Sequence, residues 1–486
     1  MIKFIKNTKK LAKVNFILVS NDLQLTDDLV QYNHLINHDV NFKGNTGSIS
    51  NPISYDNCIL YFVGCGSIKD GLNRGQINSI GGSIVAFANR NKLSQIDIFL
   101  ESKIAKIDSI ALYLAEGIKL RNYKYTELFV QKKNDNELYL KEVLLYLNEP
   151  EETGLDFLRF DQLIDGVNFT RDLISKPGNV LTPEIFANLC LDLEKIGIKV
   201  KILDEDAMKK LGMGSLLAVA QGSENKPKMV LLEWLGGTKD QEFLAIVGKG
   251  VTFDSGGINL KPSNNIADMK YDMSGAAVVA GIVKVVASQK LPLNIIGVLG
   301  LVENMPSGMA QRPGDVVTSM SGQTIEVENT DAEGRMVLAD LLWYVQNYYN
   351  CHSIIDLATL TGAIVVALGD QFAGLFTNND NLNKKLVEAG NEVNELLWRM
   401  PLSRHYDSRI NSEIADMRNT GRLPGAGATT GAQFIQRFLK NPEISWAHLD
   451  IAGVVWTSNG ELTQGLKGAT GFGVRLLEEF IQSSLK

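Results

Sequence analysis

Apolar residues along this chain follow two rhythms. In the first 150 residues the short β-rich runs 16–20, 59–63 and 96–100 read as strands. Residues 71–91, interrupted by Gly81 and Gly82, and residues 109–120 carry helical spacing instead. Strand–helix alternation of this kind predicts a small α/β domain. Around 149–154 the composition turns polar, with Pro150 and Gly154, which marks the linker candidate. Helical spacing resumes over 161–175, with Phe160, Leu163, Val167 and Leu173 on one side, and stops before Lys176, Pro177 and Gly178. Thr182 then caps a new helix, with Pro183 in its first turn. Further strands are predicted at 199–203, 229–234, 244–247, 294–302, 324–328 and 353–357, and helices at 274–288, 335–347 and 431–438. The expectation is a second, larger α/β domain whose central mixed sheet is flanked by helices. Stretches 257–276, 308–314 and 419–431 are rich in Gly, Pro, Asn and Met and read as loops.

Size and composition sharpen this picture. A chain of 486 residues exceeds what one core usually organises. The expected division is an N-terminal α/β domain over 1–150, a linker helix region over 151–170 and the larger domain over 171–486. No run approaches the ~20 apolar residues of a membrane span. The basic start (Lys3, Lys6, Lys9, Lys10, Lys13) is followed only by the short apolar run 16–19, too short for a secretory core, so a cytoplasmic location is expected. Cys58, Cys65, Cys190 and Cys351 are scattered without a Cys-x-x-Cys and read as reduced core residues. His34 and His38 stand four apart, but Leu35 occupies the place where a zincin needs glutamate. Residues 1–150 hold 18 basic and 15 acidic side chains, leaving 30 basic and 40 acidic in the remainder. The larger domain is therefore the acidic one, which suits concentrating cations.

The candidate chemistry lies between Lys249 and Arg335. Residues 329–340 read Asn-Thr-Asp-Ala-Glu-Gly-Arg-Met-Val-Leu-Ala-Asp. On an extended segment Asp331 and Glu333 would project from the same side and repel unless a cation sat between them. Gly334 would let the backbone turn before Arg335 and a helical pattern. One Asp-x-Glu pair is commonplace on solvated surfaces. Upstream, the strand 244–247 opens into a glycine-rich loop holding Lys249 and Asp254, followed by Lys261, Met269 and Asp272. Four acids and three bases thus stand beside glycines or apolar-run ends, where open α/β sheets place their sites. The loop is neither a P-loop, since no Gly-Lys-Ser/Thr closes it, nor a Gly-x-Gly-x-x-Gly turn.

These segments resemble the signatures of the cytosolic leucyl aminopeptidase family, a group of two-metal exopeptidases. The Asn-Thr-Asp-Ala-Glu-Gly-Arg run from Asn329 is that family's hallmark. Gly-Lys-Gly-x-x-Phe-Asp-Ser-Gly-Gly from Gly248 and Met-Lys-x-Asp-Met from Met269 agree in order and spacing, as do 356–363 and 448–453. The resemblance covers roughly residues 165–480; the first 150 share only length and position. It implies two divalent cations per subunit, Mn²⁺ or Zn²⁺. Asp254 and Glu333 would bridge them, Asp331 would bind one, and Lys249 with Asp272 the other. A lysine donor must be neutral, which adjacent dications favour; otherwise Lys249 is an ion-pair partner of the same acids. A metal-bridging hydroxide would attack the scissile carbonyl. Lys261 would stabilise the oxyanion, and Arg335 would hold a bicarbonate that shuttles protons. Lys261, Met269, Asn329, Thr359, Leu360, Gly362 and Ala452 match positions that line the side-chain pocket or hold the substrate. Peptides with leucine-like N-termini are the implied substrates, with broad specificity because one methylene discriminates only ~1–3 kcal/mol. A homohexamer is implied as well.

Two rivals remain at this point. A carboxylate-held metal pair also cleaves phosphoesters, although such sites usually draw on histidines or Asp-x-Asp starts. Some members of the family bind DNA, but a net charge of −7 weighs against that use here.

Overall fold

The computed structural model describes residues 2–485 apart from 8–10, 26, 68–71, 101–106, 132–137, 148–149, 265, 423 and 459–466. Lys9, Lys10, Gly71, Glu149, Asn265 and Leu423, each within a range or set read from the sequence, lie outside the described residues. The chain forms two compact units. One comprises Met1–Ile164 with Glu392–Asn394 and Thr457–Gly468, the other the remainder.

The smaller unit is built on a six-stranded sheet of β1 (Ile2–Lys6), β2 (Val14–Val19), β3 (Ile53–Tyr55), β4 (Cys58–Gly64), β5 (Gln95–Phe99) and β6 (Glu142–Leu147). Its order is β1-β6-β5-β2-β4-β3, parallel except for β3 on β4. The strands read from 16–20, 59–63 and 96–100 are all present. The helix Arg74–Arg90 runs unbroken through Gly81 and Gly82, contrary to the interruption expected there. A Cβ on Gly81 would lie 2.5 Å from the Leu114 carbonyl oxygen of the neighbouring helix Ile107–Arg121. The glycine serves close helix packing, and a buried Arg74–Glu116 pair at 2.7 Å bridges the same two helices. His34 falls in the short helix Asn33–Ile36, which ends before His38, so the two do not share a helix face.

The polar stretch read as a linker is instead the start of a helix, Pro150–Ser175. Proline is tolerated in a first turn, and Glu151 and Glu152 complement the helix's positive end, which is why a polar, Pro-containing sequence still folds this way.

The larger unit carries an eight-stranded mixed sheet. Its strands are β7 (Lys199–Leu203), β8 (Lys228–Leu235), β9 (Phe243–Asp254), β10 (Asn294–Asn304), β13 (Cys351–Ala358), β14 (Phe372–Thr377), β15 (Leu396–Arg399) and β17 (Ser445–Asp450). A small separate sheet joins β11 (Val316–Thr318), β12 (Thr324–Glu326) and β16 (Met417–Arg418). The main order is β15-β14-β17-β13-β9-β10-β8-β7, with β9, β10, β13 and β17 forming a parallel centre. Strand alternation divides the layers. A Cβ on Gly248 would meet Ala276 of the helix Ser274–Ser288 on one face, whereas Ala245 and Val247 join the core with Val337 and Leu341 of the helix Gly334–Tyr348 on the other.

The helix starts at Ser274 and Thr182 hold as read; Thr182 Oγ1 accepts from the Ile185 N–H at 3.3 Å, with Pro183 beside it. Strand β9 is longer than expected and absorbs the glycine-rich segment read as a loop. Gly248 and Gly250 are there for approach, not turning: a Cβ on Gly250 would lie 2.7 Å from the Gly300 carbonyl oxygen. The helix predicted at 431–438 is Gly427–Gln436. One stretch, Ile266–Ser288, has the length and hydropathy to cross a membrane, but 83% of that window is buried inside the fold.

Candidate active site

Four strands of the main sheet deliver their C-terminal ends to one place. β9 ends at Asp254, β10 at Asn304, β17 at Asp450, and β13 ends just before Thr359. The parallel centre of the sheet makes this convergence possible. Here Asp254, Asp272 and Glu333, all buried, each offer an oxygen within 4.8 Å of the others.

Two lysines interleave with these carboxylates. Lys249 Nζ lies 2.8 Å from Asp272 and 2.8 Å from Glu333, and donates to the Thr359 carbonyl at 2.9 Å. Lys261 Nζ lies 2.8 Å from Asp254 and also pairs with Asp331. Lys249 reaches the acids because β9 continues past Val247; a loop there would leave its amine unaimed. Gly334 leaves it room, since a Cβ there would sit 2.6 Å from the Lys249 stem. Close approach, rather than the turn expected from the sequence, is what that glycine supplies.

The turn after β9 does need glycine. Gly256 and Gly257 adopt φ of +88° and +64°. This folds the Gly256 N–H back onto Asp254 Oδ1 at 2.9 Å, while Asn304 Nδ2 donates to the same oxygen at 2.8 Å. Thr330 locks the opposite wall, its hydroxyl donating to the Gly256 carbonyl at 2.6 Å. The segment 331–333 is not extended. Asp331 occupies a turn, its N–H donating to Asn329 Oδ1 at 2.9 Å, and Glu333 has helical backbone angles at the head of Gly334–Tyr348. The two acids therefore serve different lysines, and the helix's positive end favours the Glu333 carboxylate.

Arg335 is buried in the first turn of that helix. Its Nη1 donates to the Asn419 carbonyl at 2.8 Å, and its Nε has no hydrogen-bond partner among the described residues. A cavity of about 520 Å³ opens beside it, lined by Ala363, Val366, the loop residues Thr420, Gly421, Gly425 and Ala426, and Gly427 and Thr430 of the helix Gly427–Gln436. Of the other sequence-selected residues, Met269, Leu360, Asn329 and Ala452 are half-buried, Thr359 is buried and Gly362 is exposed. A second cavity, about 300 Å³, lies at the opposite ends of the strands, lined in part by Leu244, Ser353 and Ser445.

Burial sets the local proton affinities. It raises the Asp272 carboxyl well above the ordinary range, with Lys249 opposing. Burial and the charges of Asp254 and Glu333 lift Asp331 to about 6. Burial works to lower both lysines, but Asp272, Glu333 and Asp254 hold Lys249 above its ordinary value, and Asp254 and Glu333 do so for Lys261. Arg335 is pulled down to about 10 by burial, against the attraction of Glu333 and Asp450.

The donor set suits hard or borderline divalent cations. Carboxylate oxygens dominate it, and buried Glu333 Oε2 accepts no hydrogen bond among the described residues. Sequence reasoning missed Asn304, whose amide donates to Asp254, Thr330, whose hydroxyl donates to the Gly256 carbonyl, and Asn419, whose amide donates to the Asn329 carbonyl. Thr330 stood inside the acidic motif and could have been found there. Asn419 lies 84 residues from Arg335, and no local pattern joins them.

Residues 168–478 match the cytosol aminopeptidase family, catalytic domain. The chain is 45% identical to a probable cytosol aminopeptidase of Rickettsia massiliae (strain Mtu5), over 99% of each sequence. It is 46% identical to that of Rickettsia bellii (strain RML369-C), over 96% of each. Among solved structures it is similar to the bottromycin maturation enzyme BotP in complex with Mn, with a TM-score of 0.86 and 30% identity, over 98% of this chain and 100% of that one.

Proposed function

The chain belongs to the cytosol aminopeptidase family, and from that premise we propose how its own residues release N-terminal amino acids from peptides. It is a metalloexopeptidase, and metal-dependent removal of N-terminal residues is the family's reaction. Under this proposal Asp254 and Glu333 would serve both of two divalent cations, Asp331 one of them, and Lys249 with Asp272 the other. Manganese is the metal of choice, supported by the Mn complex of the similar structure. When bound there, divalent cations would supply Lewis acidity and an activated water. The observation that carries this reading is the buried meeting of three carboxylates around Lys249 at the parallel strand ends.

The protein's own groups do the rest. Lys249 is protonated while it pairs with Asp272 and Glu333, so acting as a nitrogen donor requires it to release that proton. Lys261, tethered by Asp254 and Asp331, holds a positive charge at the mouth of the site, where it stabilises oxyanion development on the substrate. Arg335 keeps its Nε free of hydrogen bonds among the described residues, and its planar fork suits a small oxyanion such as bicarbonate for moving a proton. Met269, Asn329, Thr359, Leu360, Gly362 and Ala452 form the substrate wall. Half-buried Met269, Leu360 and Ala452 make that wall apolar and adaptable, which supports a broad, leucine-like preference. A homohexamer in the cytoplasm completes the proposal, with sedimentation velocity as the check on assembly.

Hydrolysis of leucine p-nitroanilide beside p-nitrophenyl phosphate, each with and without Mn²⁺, tests the reaction. Manganese-dependent release from the first substrate alone is expected. Release from the phosphate alone would replace this function with phosphoester cleavage.

A further inference from the structure

Within the segment from His448 to Gly453, which matched the family pattern, Asp450 has acquired no task, and it is too deeply buried to be surface charge. Asp450 is fully buried at the C-terminal end of β17, on the strand next to β13. Its Oδ1 accepts the Leu360 N–H at 3.0 Å and the Ala452 N–H at 3.3 Å. Its Oδ2 accepts the Thr361 hydroxyl at 2.7 Å. Thr361 in turn accepts the Ile364 N–H at 3.2 Å and so caps the helix Gly362–Leu368. One carboxylate therefore ties down the turn by which the chain leaves β13.

That turn reaches the candidate metal ligands from the other side. The Thr359 carbonyl accepts from Lys249 at 2.9 Å, and the Thr359 hydroxyl donates to Asp272 Oδ1 at 2.7 Å. Asp450 lies in a row of buried polar residues along β17. His448 Nδ1 meets Asp356 Oδ1 at 2.6 Å, and Trp446 Nε1 donates to Asp356 Oδ2 at 2.7 Å. Trp446, His448 and Asp450 alternate along β17 and so share a face. Burying a carboxylate inside a sheet is costly unless it is paired, and Asp450 is paired with Leu360, Thr361 and Ala452.

We propose that Asp450 is a positioning residue for the aminopeptidase reaction: it fixes the 359–361 turn so that Thr359 holds Lys249 and Asp272 in the geometry that receives the metals. It does not touch the reacting atoms. This role rests on the function proposed above.

The test measures Mn²⁺ affinity by titration calorimetry, together with kcat and KM on leucine p-nitroanilide, for wild type, Asp450→Ala, Asp450→Asn, Thr361→Val and Thr359→Val. Asp450→Ala should weaken Mn²⁺ binding about tenfold or more, the usual consequence of removing a group that orients a metal ligand. Asp450→Asn keeps an acceptor for Leu360 and can donate to Thr361 Oγ1, so it should recover most of that loss. Combining Asp450→Ala with Thr359→Val should cost little more than either alone, because both cut one path. A destabilised fold without a positioning role would lower the melting temperature while leaving Mn²⁺ affinity of the folded protein unchanged. That result, or additive losses in the double variant, overturns the proposal. Should Asp450→Ala fail to fold, Asp450→Asn and Thr361→Val carry the test: unchanged affinity in Thr361→Val and in its combination with Asp450→Asn counts against it. A wild-type chain that binds no Mn²⁺ defeats the functional reading, and the positioning role with it. Normal wild-type binding and turnover with unaffected variants defeats the positioning role alone.

Discussion

Lys261 pairs with Asp254 and Asp331, and Arg335 stands two residues after Glu333. Lys261→Ala and Arg335→Ala should each cut kcat, by about 10²–10³-fold for Lys261, while metal content by elemental analysis stays near wild type. Asp254→Ala should lose metal and activity together, because it removes the shared oxygens and leaves Lys261 paired only with Asp331. Retention of both metals by that variant would refute the ligand assignment. A separate acid offers a stability test away from the site. Asp340 is fully buried and accepts the Leu216 N–H at 2.9 Å and the Met320 N–H at 2.8 Å, with burial lifting it from 3.8 to about 7. A carboxyl with a raised folded value contributes stability that is present below its unfolded value and is lost as pH rises through about 7. Asp340→Asn does not titrate, and its amide turns one acceptor into a donor facing a backbone N–H. The variant should be less stable at acid pH. Its deficit should shrink by about 1 kcal/mol per pH unit between pH 4 and 7, as read by denaturant unfolding.

At the scale of elements, glycine does two different jobs. Gly248, Gly250 and Gly334 read as turn formers in the sequence, but they lie in a strand or open a helix and are small because backbone or the Lys249 stem passes beside them. Gly256 and Gly257 do turn, as their positive φ angles require. Gly248→Ala should therefore destabilise by about 1–3 kcal/mol, since its Cβ would meet Ala276 Cα at 2.6 Å and push the helix Ser274–Ser288 off the sheet. Gly308→Ala, with nothing within 4 Å, should leave the melting temperature unchanged. Equal losses in the two variants would contradict the close-packing explanation. The helix Pro150–Ser175 teaches a related lesson, because polar and proline-bearing residues serve a helix start as readily as a linker.

Across the whole molecule, ligand binding and stability are linked. Mn²⁺ at one hundred times its dissociation constant should stabilise the fold by about 2.7 kcal/mol per site. A melting temperature that rises with Mn²⁺ in wild type but not in Asp254→Ala is the expected scan, and activity lost to a chelator should return with the metal. An Asp254→Ala protein that still responded fully to Mn²⁺ would place the cations elsewhere.

Sequence alone determined the α/β alternation, most strand and helix positions of the larger unit, and the identity of the acids and bases in its motifs. These are local properties: apolar periodicity follows from backbone geometry, and the motifs are contiguous runs. Tertiary structure alone decided which groups meet. Lys249 faces Glu333 because β9 extends through its glycines, and Asn419 orders the Arg335 environment from 84 residues away. Asp450 reaches Leu360 only because β13 and β17 lie side by side. Contacts between distant positions depend on how strands are ordered in the sheet, and residue spacing along the chain does not carry that order.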